Sequence, residues 1–412
     1  MTNQNPNHPA FTAGGPSGAS FGPTPQPAYP QPPQPIPTAP HTPEPPKARR
    51  KLAGFVAVAM LSAGIGGGAA VAANHYLAPG SAASSSTAVS TQVVQASSDS
   101  PDWAATTAAV KNAVVAIQVT GRNGSGDGSG VVIDAEGHIV TNNHVVAGGG
   151  EGAKLTVTIG DQAYSAQIVG TDPSTDLAVI KIDNPPSQLT VATWGDSSSL
   201  SVGQPVMAIG NPLGLSDTVT TGIVSALNRP VTTQAVSNSV DDQGSGVVVT
   251  SAIQTNAAIN PGNSGGALVD ASGNLIGITS SIASLPSNAS SSQSGNIGIG
   301  FAIPASQAKY VAEQLIATGT VQHAQLGINA GDGNEGSQLG ATVENVNAGS
   351  AAEAAGLKTG DLITSLNGQA VVNARSLIAL VRNSEVGQEV TLDVIRGGET
   401  LQVKAILGAA AE

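Results

Sequence analysis

At 412 residues the chain has room for more than one domain, and 40% hydrophobic residues suffice for buried cores, but with aromatics at 2% those cores must be built from Val, Ile, Leu and Ala. The formal charge is −12, and downstream of residue 51 only 11 basic residues face 26 acidic ones, a surface that repels phosphates and argues against a nucleic-acid partner. The chain has no cysteine, which excludes a thiol nucleophile, thiolate metal sites and disulfides.

Residues 1–46 are dominated by Pro, Gln, Gly, Ser and Thr and read as a disordered cytoplasmic tail, because they hold too little apolar surface to offset the entropy of ordering. The basic cluster KARRK (47–51) leads into LAGFVAVAMLSAGIGGGAAVAA (52–73), which contains no charged residue. As a helix this run is about 33 Å long, enough to cross a bilayer core. Residues 47–77 are therefore expected to form a basic flank and one transmembrane helix, with the N-terminus cytoplasmic and the rest outside. A signal peptide is the rival reading, since Ala70-Val71-Ala72 resembles a cleavage site. The length of the apolar run and its distance from the N-terminus favour the anchor. Residues 78–101 form a Ser/Ala-rich linker.

From Asp102 onward, short Val- and Ile-rich runs alternate with Gly, Asp and Asn turns, as in VVAIQV (114–119), LAVIKI (177–182), PVMAIG (205–210) and LIGITS (275–280). This pattern predicts a mainly β protein of barrel or sandwich type. SGVVIDAEGHIVTN (129–142) and GGALVDASGNLIGI (265–278) share a strand, a D-A-x-G turn and a second strand, which suggests two related barrels. Helical spacing predicts a helix over 306–319 with Gly319 as its C-cap. A second unit begins after residue 320, with a helix expected over 374–383 and Asn373 as its N-cap.

The string NPGNSGG (260–266) admits three readings: a plain turn, the nucleophile elbow of an α/β-hydrolase, or the nucleophile loop of a chymotrypsin-like protease. The elbow needs a helix after its serine and a histidine further on, whereas Ser264 is followed by a strand, a turn and a strand, and His323 is the only histidine downstream. Of the other histidines, His8 and His41 lie in the tail, His75 at the membrane edge and His138 in a hairpin turn, where solvation is expected. His144 follows a strand, a position where barrel proteins carry reactive groups. Asp176 directly precedes LAVIKI, and a carboxylate entering a core strand must be paired, with a histidine N–H or as a strand-start cap. Together the three make a reactive set: His144 takes the proton of Ser264 Oγ, and Asp176 fixes the tautomer of His144. Gly262 lets its own N–H and that of Ser264 converge as an oxyanion hole, while the Asn263 N–H between them either assists or completes the turn.

TNNHVV (141–146), STDLAVIKI (174–182), GNPLGL (210–215), TGIVSALNR (221–229), INPGNSGGALVD (259–270) and GNIGIGFAIP (295–304) resemble the HtrA, or Deg, serine proteases. The unit from 321 resembles their PDZ domain, on QLGI (325–328), GSAAEAAGLKTGDLITSLNG (349–368) and TLDVIRGGE (391–399). The resemblance implies a chymotrypsin-like double β-barrel over 102–320 with His144, Asp176 and Ser264 as triad, then a PDZ domain over 321–409. It also implies a homotrimer that degrades misfolded extracytoplasmic proteins under stress, without metal or cofactor. Ile297 and Ile299 would line an S1 pocket for small aliphatic side chains, and Gln325, Leu326, Gly327 and Ile328 would hold the C-terminus of a peptide. The polar loops 231–246 and 284–296 match segments that switch such enzymes between latent and competent states, so a PDZ-bearing chaperone with a latent protease site is the alternative. One departure is Asn256, where the family commonly carries Asp.

Overall fold

The computed structural model describes residues 89–90 and 101–410, apart from 123, 151, 213–217, 235–246, 261 and 281–297. These belong to a compact unit spanning Ala82–Glu412; a separate unit, Met1–Ser81, lies outside the described residues, and with it the tail and the candidate span 52–73. Among the described residues no helix is long and apolar enough to cross a membrane.

After helix α1 (Trp103–Val110), six strands close into a barrel: β1 (Val114–Gly121), β2 (Gly124–Val132), β3 (His138–Thr141), β4 (Lys154–Ile159), β5 (Gln162–Asp172) and β6 (Leu177–Ile182). Around the ring the order is β1-β2-β3-β6-β5-β4, and every neighbouring pair is antiparallel. A short helix, α2 (Asn143–Ala147), follows β3. The next six strands are β7 (Pro205–Gly210), β8 (Thr218–Gln234), β9 (Val247–Thr255), β10 (Ala267–Val269), β11 (Asn274–Ser280) and β12 (Gly300–Pro304). They run β10-β7-β8-β9-β12-β11, and the pairing of β10 with β11 closes this ring as well. Written in chain order, both rings have the same sequence of strands.

The two D-A-x-G hairpins do not occupy equivalent places in these rings. One joins the second and third strands of the first ring, the other the fourth and fifth strands of the second. The turn itself is shared: Asp134 Oδ1 accepts from the His138 N–H at 3.0 Å, and Asp270 Oδ1 from that of Asn274 at 2.9 Å. His138 is therefore not a solvated turn residue. It starts β3, is 8% exposed, and places Nδ1 2.5 Å from Asp134 Oδ2, because the same aspartate that closes the turn faces its ring.

The run LAVIKI is apolar on both faces because both are covered. Ala178, Ile180 and Ile182 point into the first barrel, while Leu177 and Val179 join Met207 and Ile209 in a core between the rings. Helix α3 (Ala305–Thr318) lays Ala308, Val311, Ala312 and Leu315 on that core, a spacing of three and four residues that puts all four on one face. It ends at Gly319, whose φ of 78° and N–H bond to the Leu315 carbonyl make the expected left-handed cap.

The remaining strands, β13 (Ile328–Glu335), β14 (Gln338–Val346), β15 (Leu362–Leu366), β16 (Glu389–Arg396) and β17 (Glu399–Ile406), form an antiparallel sheet in chain order. Helices α4 (Ala351–Ala354) and α5 (Ala374–Arg382) accompany this sheet, which has its own core around Val343, Ile363, Leu377, Leu380 and Val394. Asn373 caps α5 as expected: Asn373 Oδ1 accepts from the Ser376 N–H at 2.9 Å, and Ser376 Oγ accepts from the Asn373 N–H at 3.0 Å. Asp361 is 1% exposed and accepts two bonds of 2.7 Å from the Arg396 guanidinium. Burial raises its carboxyl pKa, but Arg396 and the Lys358 N–H outweigh that and hold it below the ordinary value. Asp361→Asn is expected to cost about 2 kcal/mol near neutral pH, the worth of a charge-assisted bond. Because the folded pKa is lowered, that contribution is present above the ordinary aspartate range and disappears as pH falls through the folded value. Urea unfolding of the full chain by circular dichroism, compared between variant and parent across that range, measures it.

Candidate active site

Strand register brings His144 to Asp176. In the antiparallel pair β3–β6, Thr141 lies opposite Ala178, so the residues just beyond Thr141 and just before Leu177 fall side by side. Asp176 has φ 59°, a left-handed conformation uncommon for a residue with a Cβ. Its carbonyl oxygen is held there by Asn142 Nδ2 at 2.9 Å and the Asn143 N–H at 3.1 Å. Its carboxylate then accepts from the backbone N–H of His144 at 3.0 Å, so a side chain from another strand caps the start of α2.

The same carboxylate faces the imidazole, with Oδ2 and Oδ1 at 2.9 and 3.0 Å from His144 Nδ1. An ionised carboxylate only accepts, so Nδ1 carries the proton and Nε2 is left with the lone pair that a general base needs. The two side chains are 15% and 12% exposed, which strengthens the pairing over one in water. Ser280 Oγ, from β11 in the second ring, donates to Asp176 Oδ2 at 3.3 Å and ties the acid to the opposite barrel.

Ser264 reaches this corner from the second ring, on the loop before β10. Its carbonyl accepts from the Ser129 N–H at 2.8 Å, and Ser129 Oγ donates to the Gly262 carbonyl at 2.8 Å. The Asn263 carbonyl accepts from Thr279 Oγ1 at 2.6 Å and from the Gly266 N–H at 3.0 Å. The Asn263 N–H donates to the Asn260 carbonyl at 3.0 Å. It thus closes the turn instead of joining the N–H groups of Gly262 and Ser264, which corrects its place in the expected oxyanion hole. Gly262 has φ 94°, and a Cβ there would lie 2.4 Å from Pro212 Cβ. At Gly265, with φ 82°, a Cβ would lie 2.2 Å from the Ser129 carbonyl oxygen and 2.3 Å from Thr141 Oγ1. The loop is therefore pressed onto the end of β3, two residues before α2 and His144 begin to turn.

Ile299 is 38% exposed immediately before β12, whereas Ile297 lies outside the described residues. In the second half, Gln325, Leu326, Gly327 and Ile328 line one groove of about 470 Å³ together with Leu377, Ile378 and Val381 of α5.

Comparison with known proteins identifies these parts. A trypsin-like peptidase domain model matches residues 128–278 and a PDZ domain model matches residues 315–407. Serine protease PepD of Mycobacterium tuberculosis is 42% identical over 370 residues, covering 87% of this chain and 78% of PepD. The chain belongs to the HtrA family of serine proteases. The periplasmic serine endoprotease DegP of Escherichia coli is 41% identical over 301 residues, 69% of this chain and 58% of DegP. A solved structure of the HtrA-type protease AlgW with a tripeptide is 35% identical, covers 76% of this chain and 98% of AlgW's, and superimposes with a TM-score of 0.54.

Two features of this HtrA protease bear on its departures. Asn256 Oδ1 accepts from the Ile223 N–H at 2.7 Å, a role open to an amide or a carboxylate oxygen alike, so the Asp-to-Asn difference preserves the bond. Asp172, 5% exposed, accepts from Ser174 N–H and Oγ at 3.1 and 2.7 Å, from Thr175 Oγ1, and from His323 Nε2 at 3.0 Å. This carboxylate shapes the turn that delivers Asp176. Burial raises its pKa, but the bond and charge of His323, with the two hydroxyls, outweigh burial and keep it below the ordinary value.

Ser129, Ser280 and Asp172 are supporting residues that sequence reasoning passes over. For Ser129 a signal exists in GDGSG (126–130): glycines spaced through a strand mark close backbone approach, and a Cβ on Gly128 would meet the Val145 side chain at 2.7 Å.

Gly262→Ala is expected to lower kcat on an unfolded protein substrate by about 100-fold, the scale of a lost oxyanion donor, with little change in thermal midpoint; kinetics and unfolding on one preparation check it. Asp172→Asn is expected to lower stability by about 2 kcal/mol. The pKa being lowered, the difference from the parent holds above the ordinary aspartate range and closes as pH falls through the folded value, as urea titrations at several pH values will read.

Proposed function

We propose that the chain is an endopeptidase in which Ser264 is the nucleophile, His144 the general base and Asp176 the residue that orients His144. The observation carrying this reading is that one carboxylate both caps α2 and faces His144 Nδ1, leaving Nε2 as the basic nitrogen. Ser264 Oγ attacks the peptide carbonyl while His144 Nε2 takes its proton. The N–H groups of Gly262 and Ser264 stabilise the oxyanion. His144 returns the proton to the leaving amine, and a water then repeats the sequence on the acyl-enzyme. The exposed Ile299, with Ile297, suits small aliphatic side chains at the cleaved bond.

The groove beside α5 supports binding of peptide C-termini, whose occupancy regulates the protease. Substrates are misfolded proteins outside the cytoplasm. The printed names of the relatives, among them a periplasmic endoprotease, and the basic flank before residues 52–73 support a protease anchored by one helix and facing outward. We place the protease domain at 102–320 and the PDZ domain at 321–409, and assign a homotrimer.

A fluorophosphonate probe is expected to label Ser264 in the full chain, more strongly when a C-terminal peptide is added. Ser264→Ala is expected to lower casein cleavage by about 10⁴-fold or more. Equal cleavage by that variant would sink the assignment, and absence of labelling with and without peptide would favour a chaperone with a dormant site.

A further inference from the structure

Apart from the cleft and the peptide groove, the second half meets the barrels around a cavity of about 410 Å³. Three hydrogen bonds cross this seam: Asn228 Nδ2 to Gln369 Oε1 at 2.6 Å, Gln307 Nε2 to the Arg382 carbonyl at 3.3 Å, and the Val386 N–H to the Tyr310 hydroxyl at 3.3 Å. The volume lies in the range of small-molecule sites, about 300–1,000 Å³.

Its polar lining is incompletely paired. Gln307 is 3% exposed and spends its amide N–H on Arg382, yet its Oε1 has no hydrogen-bond partner. Asn383 Oδ1 and one terminal nitrogen of Arg382 are also shut off from solvent without a partner. All three residues line the cavity, as do Leu227 and Ile253 on the barrel side and Glu385 on the other. Buried polar groups are normally paired, and leaving one unmet is costly.

The unmet groups define what fits. Two amide oxygens require donors, one guanidinium nitrogen requires an acceptor and favours an anion, and the aliphatic wall favours an apolar body. A simple anion satisfies only Arg382, and water leaves the aliphatic wall wet. We propose that this seam cavity binds an aliphatic α-amino acid or dipeptide in its zwitterionic form. The ammonium donates to Gln307 and Asn383 near the Glu385 carboxylate, the carboxylate accepts from Arg382, and the side chain lies against Leu227 and Ile253. Molecules of this class are also end products of proteolysis.

The test is isothermal titration calorimetry on the full chain carrying Ser264→Ala, so that binding is read without turnover and stands or falls apart from the protease assignment. Leucine and alanyl-leucine are the probes, and N-acetylleucinamide, which lacks both charges, is the control. At least one zwitterion is expected to bind about tenfold more tightly than the control, and Gln307→Leu and Asn383→Ala each to weaken it about tenfold. Arg382 borders the peptide groove too, so Ile378→Ala, which alters only the groove, is expected to leave binding intact. No binding by either zwitterion, equal binding of the control, or loss on Ile378→Ala overturns the proposal. If Gln307→Leu does not fold by circular dichroism, the half-buried Asn383→Ala decides, and unchanged affinity there overturns it as well.

Discussion

The structure depends on a single carboxylate placed at the end of a strand pair. Asp176 stands where β3 and β6 part, in a backbone conformation that would be unfavourable without the two asparagine donors on its carbonyl. From there it reaches the first N–H groups of α2, the imidazole and a serine of the other ring. Each of these partners is fixed in turn: α2 by the end of β3, and Ser280 by the pairing of β11 with β12. The reactive groups are therefore held by rigid elements, which is what a preorganised site requires.

Much of this was legible in the sequence because the signals are local. Gly319 and Asn373 announce helix ends through conformations and bonds that need no distant partner. The triad candidates were legible because reactive residues sit where apolar runs stop, and only one histidine, one serine loop and one acid met a strand end in a workable order. The double-barrel architecture was also anticipated, though by an argument that the fold revises: the two D-A-x-G hairpins resemble one another as turns, and the likeness of the rings lies in their strand order.

What the sequence hid is long-range. Ser280 closes LIGITS as any strand-terminal serine might, and only the closure of the second ring turns it toward Asp176. His138 has the company of a turn and therefore suggests solvent, but its turn aspartate pairs with it. Asn256 looked like a departure because residue type was compared; the bond it makes uses only an oxygen that both residue types own. Asp172 and His323, about 150 positions apart, form a bond between the barrels and the segment leading to the peptide groove, which no local pattern could indicate.

The common strand order of the two rings has a consequence for how such an enzyme could arise. Base and acid sit on one ring and the nucleophile on the other, so neither ring alone carries a reaction. If the rings descend from one ancestral barrel that paired with its own copy, each copy was free to lose half of the chemistry, and activity became a property of the seam. Selection then acts on how two similar bodies meet, and either can drift inside so long as that meeting is preserved.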